Sequence, residues 1–349
     1  MTEPIRVKSI SSYRPFLAWC AVAGTGWVFV LVMLGAFTTS IGAGMVFQDW
    51  PLSNGSLNPP GWLQNIAMFA EHSHRLSAGL MSAITLWLAA ALWHCEERRW
   101  LRWLGWFAVA MVVLQAMVGG LRVLLNPVAV PAVDTNLGQI FAMLHACLAQ
   151  SFVCMLLAIA AALSRSWIAA APISSAPASR GLRWLGIVCC GLLLTQLGIA
   201  AVMRHRFAGL AIPTFPLTPE GGLLPAHWDF GVSINFAHRV MALILTVALG
   251  SFGVAIWRDP AAGSGRKCLA GLVGLLLAAQ IVLGANIIWT ARNPYFTTAH
   301  VVVGALTLAA AFLLTWFIHR DRLEYNEDAR VRIPRIQPGP TRTRAPFLA

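Results

Sequence analysis

The chain has 349 residues, 58% of them hydrophobic and only 11% charged, and its mean hydropathy is +0.69. A soluble domain carries about 25% charged residues, so this composition excludes an ordinary water-facing surface, whereas lipid accepts the surplus of apolar side chains. The net charge of +12 follows the boundaries of the apolar runs, which reads as membrane topology and not as nucleic-acid binding.

In chain order the apolar runs cover 16–38, 62–94, 101–121, 138–163, 183–203, 231–257, 268–290 and 297–318. Each is near or above the roughly 20 residues that cross a hydrocarbon core. They predict an all-α integral membrane protein with eight transmembrane helices. The first run is long enough to span and lacks a small-residue cleavage site, so it reads as a retained helix and not a cleaved signal.

Lys and Arg set the orientation. With the N-terminus in the cytoplasm, the inner segments hold Arg6, Lys8, Arg14, Arg98, Arg99, Arg102, Arg165, Arg180, Arg183, Arg258, Arg266, Lys267 and seven arginines of the tail. The outer segments hold Arg122, Arg204, Arg206 and Arg292. Nineteen against four places both termini in the cytoplasm of a bacterial inner membrane.

An internal repeat divides the chain. Glu71-His72-Ser73-His74-Arg75-Leu76 matches Asn235-Phe236-Ala237-His238-Arg239-Val240 at an offset of 164. Gln115-Ala116-Met117-Val118-Gly119 matches Gln280-Ile281-Val282-Leu283-Gly284 at 165, and Leu34-Gly35 matches Leu197-Gly198 at 163. Four spans per repeat is an even number, so the halves run parallel. The expected organisation is two tandem, pseudo-symmetric four-helix bundles, 1–165 and 181–320, followed by a basic Pro/Arg-rich cytoplasmic tail, 321–349.

Four of the nine histidines recur at equivalent places: His74, His145, His238 and His300. Each falls about 9–18 Å down an inward-running helix at 1.5 Å per residue. Ionisable side chains at membrane depth are costly and mark function. Two histidines facing across a four-helix bundle hold haem iron from both sides, and the further ligands that zinc or copper need are not evident. A hydrogen-bonded helix-interface histidine is the alternative for any one of them; the repeat favours two bis-histidine haem sites. His72 points about 200° away from His74 around the helix. His94, His205, His227 and His319 fall at helix ends or in outer loops and read as structural.

Glu71 lies one turn before His74, and its repeat partner Asn235 cannot ionise. A carboxylate beside one site only points to chemistry in the first half and a structural or electron-carrying haem in the second; an ion pair with Arg75 is the other reading, compatible with the first. Arg75 and Arg239 each follow a ligand candidate and either pair with haem propionates or snorkel within the bundle. Gln115, Gln280 and the glycines after them read as helix-packing and hydrogen-bonding positions. The seven cysteines form no C-x-x-C pair, and most sit within apolar runs as small buried hydrophobes.

Gly42-Ala43-Gly44-Met45, Asp49-Trp50-Pro51, Glu71-x-x-His74-Arg75, His145, Asn235-x-x-His238-Arg239 and His300, in this order and spacing, resemble the haem A synthase family over residues 17–320. The resemblance implies oxidation of a ring methyl of haem O to the formyl group of haem A, for terminal oxidases. It implies haem O or haem A between His74 and His145, haem b between His238 and His300, and Glu71 as the residue needed for the oxidation. Partners would be the lipid bilayer, haem O, a haem O synthase and an unidentified electron donor, with a homo-oligomer left open. Two departures stand out: the first outer loop has no cysteine pair, and Thr39 and Ala43 occupy positions where many relatives carry Arg and Ser. A di-haem electron carrier of cytochrome b type, and a transporter with histidine proton sites, remain alternatives at this stage.

Overall fold

The computed structural model describes residues 11–169 and 178–324. Among them eight helices are long and apolar enough to cross a membrane. In the first half these are α1 (Pro15–Ser40), α2 (Ile66–Cys95), α3 (Arg99–Leu124) and α4 (Leu137–Leu163), with a short hairpin of β1 (Ala129–Val130) and β2 (Thr135–Asn136) before α4. After the single turn of α5 (Arg165–Ile168) come α6 (Arg180–His205), α7 (Phe230–Arg258), α8 (Ser264–Trp289) and α9 (Pro294–Ile318). The protein is thus an all-α, multi-pass membrane protein, as the hydropathy pattern predicts.

Capping chemistry moves the helix ends away from the apolar runs. α2 starts at Ile66 instead of 62 because Asn65 Oδ1 accepts from the N–H groups of Ala67 and Met68. Trp62 stays in the loop, stacked on Phe69 with ring centres 5.8 Å apart. Asn136, Ser179, Asp229 and Asn293 cap α4, α6, α7 and α9 in the same way. His205, expected in an outer loop, is the last residue of α6.

The helix ends also correct one repeat match. α1 and α6 both have 26 residues, and the positive-φ residues that follow them, Gly42 and Phe207, lie 165 apart. Gly35 therefore corresponds to Ala200, not to Gly198, and a Cβ added at Gly198 would meet nothing within 4 Å.

Within each half the helices close into a ring: α1–α2–α3–α4 and α6–α7–α8–α9, with the first and last of each in contact. The rings meet along α1 and α4 on one side and α6 and α9 on the other. α4 and α9, the most enclosed helices, bury small residues there: Ala158, Ala160, Ala161 and Ala162 on α4, and Ala305, Ala309, Ala310 and Ala311 on α9. Lipid tails are as apolar as leucine, so close backbone approach through small residues is what holds such helices together.

A buried ionic clamp ties the α2–α3 corner to the end of the described chain. Arg98 donates to both oxygens of Glu96 (3.0 Å each) and to Glu324 Oε1 (3.1 Å). The Trp167 indole N–H also donates to Glu324 Oε1, and Arg320 Nε donates to the Trp167 carbonyl (2.8 Å). Burial opposes ionisation of Glu96, yet the Arg98 guanidinium outweighs it and holds the carboxyl below the usual glutamate range. Residues 321–324, assigned to the tail from sequence, belong to this clamp; 1–10, the 170–177 linker and the rest of the tail, 325–349, lie outside the described residues.

Candidate functional site

Each ring brings its two histidines face to face. His74 on α2 and His145 on α4 have ring centres 6.4 Å apart; His238 on α7 and His300 on α9 are also 6.4 Å apart. All four are only partly buried although they sit within the bundles.

The packing around the rings explains the glycines. A Cβ at Gly35 would come within 2.9 Å of His74 Cε1, and one at Gly119 within 2.8 Å of His145 Cε1. At Gly284 the distance to His300 Cε1 is 3.4 Å. Glutamines then fix the ligand-bearing helices. Gln115 Nε2 donates to the His145 carbonyl (2.9 Å), and Gln280 Nε2 donates to the His300 carbonyl (2.7 Å). Gln196 Nε2, which the sequence reading passed over, donates to the His238 carbonyl (3.0 Å).

The pairs fit haem. Two metal–nitrogen bonds of about 2 Å and two ring radii of about 1 Å span roughly 6 Å between ring centres. His145 Nδ1 faces the Gln115 carbonyl at 3.1 Å, an arrangement that would leave Nε2 free to hold a metal. Nδ1 of His74, His238 and His300 is buried without a partner at hydrogen-bonding geometry. No group of three or more His, Cys, Asp or Glu side chains gathers as a metal site among the described residues. An iron already held by a macrocycle needs only two axial ligands.

Glu71 and Arg75 fasten the loop between α1 and α2 beside this site. Glu71 is 4% exposed. Its Oε1 accepts from Arg75 (2.6 Å), and its Oε2 accepts from the N–H groups of Val46 (2.8 Å) and Phe47 (3.1 Å). Arg75 donates further to the carbonyls of Phe47, Asp49 and Leu52. Asp49 folds the loop tip by accepting from Asn54 and Gly55. Burial would raise its carboxyl, but those two amides and the Arg75 charge hold it below the usual range. The Trp50 ring lies flat on α3, where a Cβ at Gly120 would come within 2.6 Å of it.

The second half repeats the plan with altered chemistry. Asn235 Nδ2 donates to the carbonyls of Ala208 (3.0 Å) and Gly209 (3.1 Å), and its Oδ1 accepts from Arg239 (3.1 Å). Arg239 donates to the carbonyls of Ile212 and Thr214. Both arginines thus direct their donors to loop carbonyls, a use that neither of the sequence-level readings included.

Of the remaining histidines, His72 and His319 have other partners. His72 binds Ser53 Oγ through Nδ1 (3.0 Å) and the Leu57 carbonyl through Nε2 (3.1 Å), and packs edge-on to Trp62. His319 Nδ1 faces the Thr315 carbonyl at 2.9 Å. His94 lies exposed in the last turn of α2, and His227 lies exposed in a loop.

These features define a polytopic membrane protein with two internally repeated histidine-pair sites, each under an arginine-tied loop. The family model described as "COX15-CtaA: Cytochrome oxidase assembly protein" matches residues 18–313, and the chain belongs to that family. It is similar to the heme A synthase of Geobacillus kaustophilus, at 27% identity over 81% of this chain and 86% of the relative. The heme A synthase of Geobacillus thermodenitrificans is 28% identical over the same shares, and that of Staphylococcus carnosus is 27% identical over 88% of this chain and 96% of its own. The resemblance read from the motifs is borne out.

Proposed function

We propose that the protein is a haem A synthase, a haem-dependent membrane oxidoreductase that oxidises the ring methyl of haem O to a formyl group. The observation that carries this reading, beside family membership, is a pair of equivalent histidine sites of which only the first has a carboxylate, Glu71, one turn from its histidine. His74 and His145 hold haem O and release haem A. His238 and His300 hold haem b, which supplies one-electron redox chemistry when bound.

The chain's own contribution is positioning and charge. Gln115, Gln196 and Gln280 fix the backbone of three ligand residues, which orients the imidazoles. Arg75 and Glu71 hold residues 46–52 over the first site and keep bulk water from it. Oxidising a methyl group removes protons together with electrons. The Glu71 carboxylate is the group placed to accept a proton or stabilise positive charge. A di-haem electron carrier needs the same four histidines and leaves the Glu71–Asn235 difference without a role.

The positive-inside count puts both termini in the cytoplasm and residues 41–65 outside. Haem O therefore meets its site within the outer half of the bilayer. Chromatography of haems extracted from cells with and without the gene, given a haem O supply, tests the function. Haem A should appear only with the gene; an unchanged haem profile with the protein present in the membrane defeats the reading.

A further inference from the structure

Arg122 and Arg204 were read from the sequence only as outer-end charges, and the structure puts both beside the histidine pairs. Arg122 sits on the stripe of α3 that faces α4: Gln115 bonds the His145 backbone, Gly119 underlies the His145 ring, and Arg122 follows at one turn further out. That step is about 4.5 Å along the helix. Its guanidinium covers Gly44 of the first outer loop, where an added Cβ would lie 3.1 Å from Arg122 Cζ. It interacts electrostatically with Glu71, Arg75, His74 and His145. Arg204 reaches across the seam from α6, and its Nη2 donates to the Ala36 carbonyl (3.0 Å) and Ser40 Oγ (2.9 Å) on α1. Arg204 and Arg122 are within electrostatic range of each other and of His205.

This cationic group lacks a matching anion. Both oxygens of Glu71 are taken by Arg75 and by backbone N–H groups. Arg122 makes no side-chain hydrogen bond or ion pair among the described residues. A guanidinium carries five donors, and leaving such a group within a bundle without a partner is costly. The repeat shows that the placement is particular to this site. At the 165 offset, Arg122 corresponds to Ile287 and Arg204 to Thr39, so neither arginine has a cationic counterpart in the other half.

We propose that Arg122 binds a carboxylate on the rim of the macrocycle held between His74 and His145, with Arg204 as the second cation of the same anion site. This rests on the reading of that histidine pair as a haem site. A planar carboxylate matches the guanidinium fork. Arg75, the other arginine beside this pair, directs its Nη donors to Glu71 and to the carbonyls of Phe47, Asp49 and Leu52.

The test is a titration of the purified full-length protein with iron protoporphyrin IX and with its dimethyl ester, followed by Soret absorbance. A His300→Ala background isolates the first site, and a His238→Ala background serves the same purpose if that one does not fold. Arg122→Gln should weaken binding of the free acid about 10- to 100-fold, and Arg122→Lys should recover part of the loss. The ester should bind the parent as weakly as the acid binds Arg122→Gln, with no further loss in the variant. Equal affinity for the acid in parent and Arg122→Gln overturns the proposal, as does an equal loss for acid and ester. A separate control, His145→Ala, reports on the underlying reading: unchanged first-site affinity and spectrum there would remove the haem site itself.

Discussion

Glu71 and Asn235 occupy equivalent positions but bind the loops that precede their helices with opposite polarity. Glu71 Oε2 accepts from the N–H groups of Val46 and Phe47, whereas Asn235 Nδ2 donates to the carbonyls of Ala208 and Gly209. The two loops therefore present different backbone groups to the same turn of helix, and the side chains are not interchangeable. Asn235→Asp would set a carboxylate against two carbonyl oxygens and forfeit both donors. A loss of about 1–3 kcal/mol is expected, seen as a lower thermal unfolding midpoint in detergent, while haem A formation by the folded fraction stays close to the parent's. An unchanged midpoint would mean that these hydrogen bonds contribute nothing.

The ligand assignment predicts a selective loss of pigment. His238→Ala and His300→Ala should each remove haem b from the purified protein and leave first-half pigment in place. Haem stoichiometry by the pyridine haemochrome assay checks this, and full stoichiometry in both variants would defeat it.

Glycine packing predicts a graded series. A methyl group at Gly119 meets the His145 ring at 2.8 Å, one at Gly284 meets His300 at 3.4 Å, and one at Gly198 meets nothing. Gly119→Ala should displace the ring and lower first-site occupancy severalfold, Gly284→Ala should act weakly on the second site, and Gly198→Ala should be silent. Equal effects from all three would show that the glycines serve helix packing in general.

The Arg98 clamp predicts an acid limit. The folded-state Glu96 carboxyl titrates below its unfolded value. Its contribution is therefore complete above the ordinary glutamate range and is lost as pH falls through the lower, folded-state value. Glu96→Gln should flatten that part of the stability profile. Arg98→Ala, which leaves Glu96 and Glu324 facing each other in a buried corner, should cost about 3–5 kcal/mol. A thermal unfolding series from pH 3 to 7 reads both.

Much of this was legible in the sequence, for identifiable reasons. Hydropathy finds eight spans because each helix must be apolar over the width of the bilayer, and the caps at Asn65, Asn136 and Asn293 shift only the ends. The four histidines stand out because duplication repeats them. The partners of Arg75 and Arg239 were not legible: they are backbone carbonyls whose positions depend on the path of each loop. Arg122 resembles a topology residue in the sequence, and only the register of α3 against α4 places it beside His145. The Arg98–Glu324 pair joins positions 226 residues apart, beyond any local pattern. The 163 offset misled at Gly198 because Leu-Gly pairs are common in apolar helices, while the helix ends set the true register.

Orientation is tested by impermeant thiol labelling in intact cells, with single cysteines replacing Asn54 and Glu97 in a background lacking the other cysteines. Asn54→Cys should label and Glu97→Cys should not. The reverse pattern would invert the assigned topology.

The central claim is that the first-half site performs chemistry that the second does not, through Glu71. The direct measurement is chromatography of haems from cells making the parent or the Glu71→Gln variant with a haem O supply. Glu71→Gln should keep haem at both sites, fail to form haem A, and accumulate haem O or a hydroxylated intermediate. Normal haem A from Glu71→Gln would contradict the account and leave Glu71 as a loop fastener paired with Arg75.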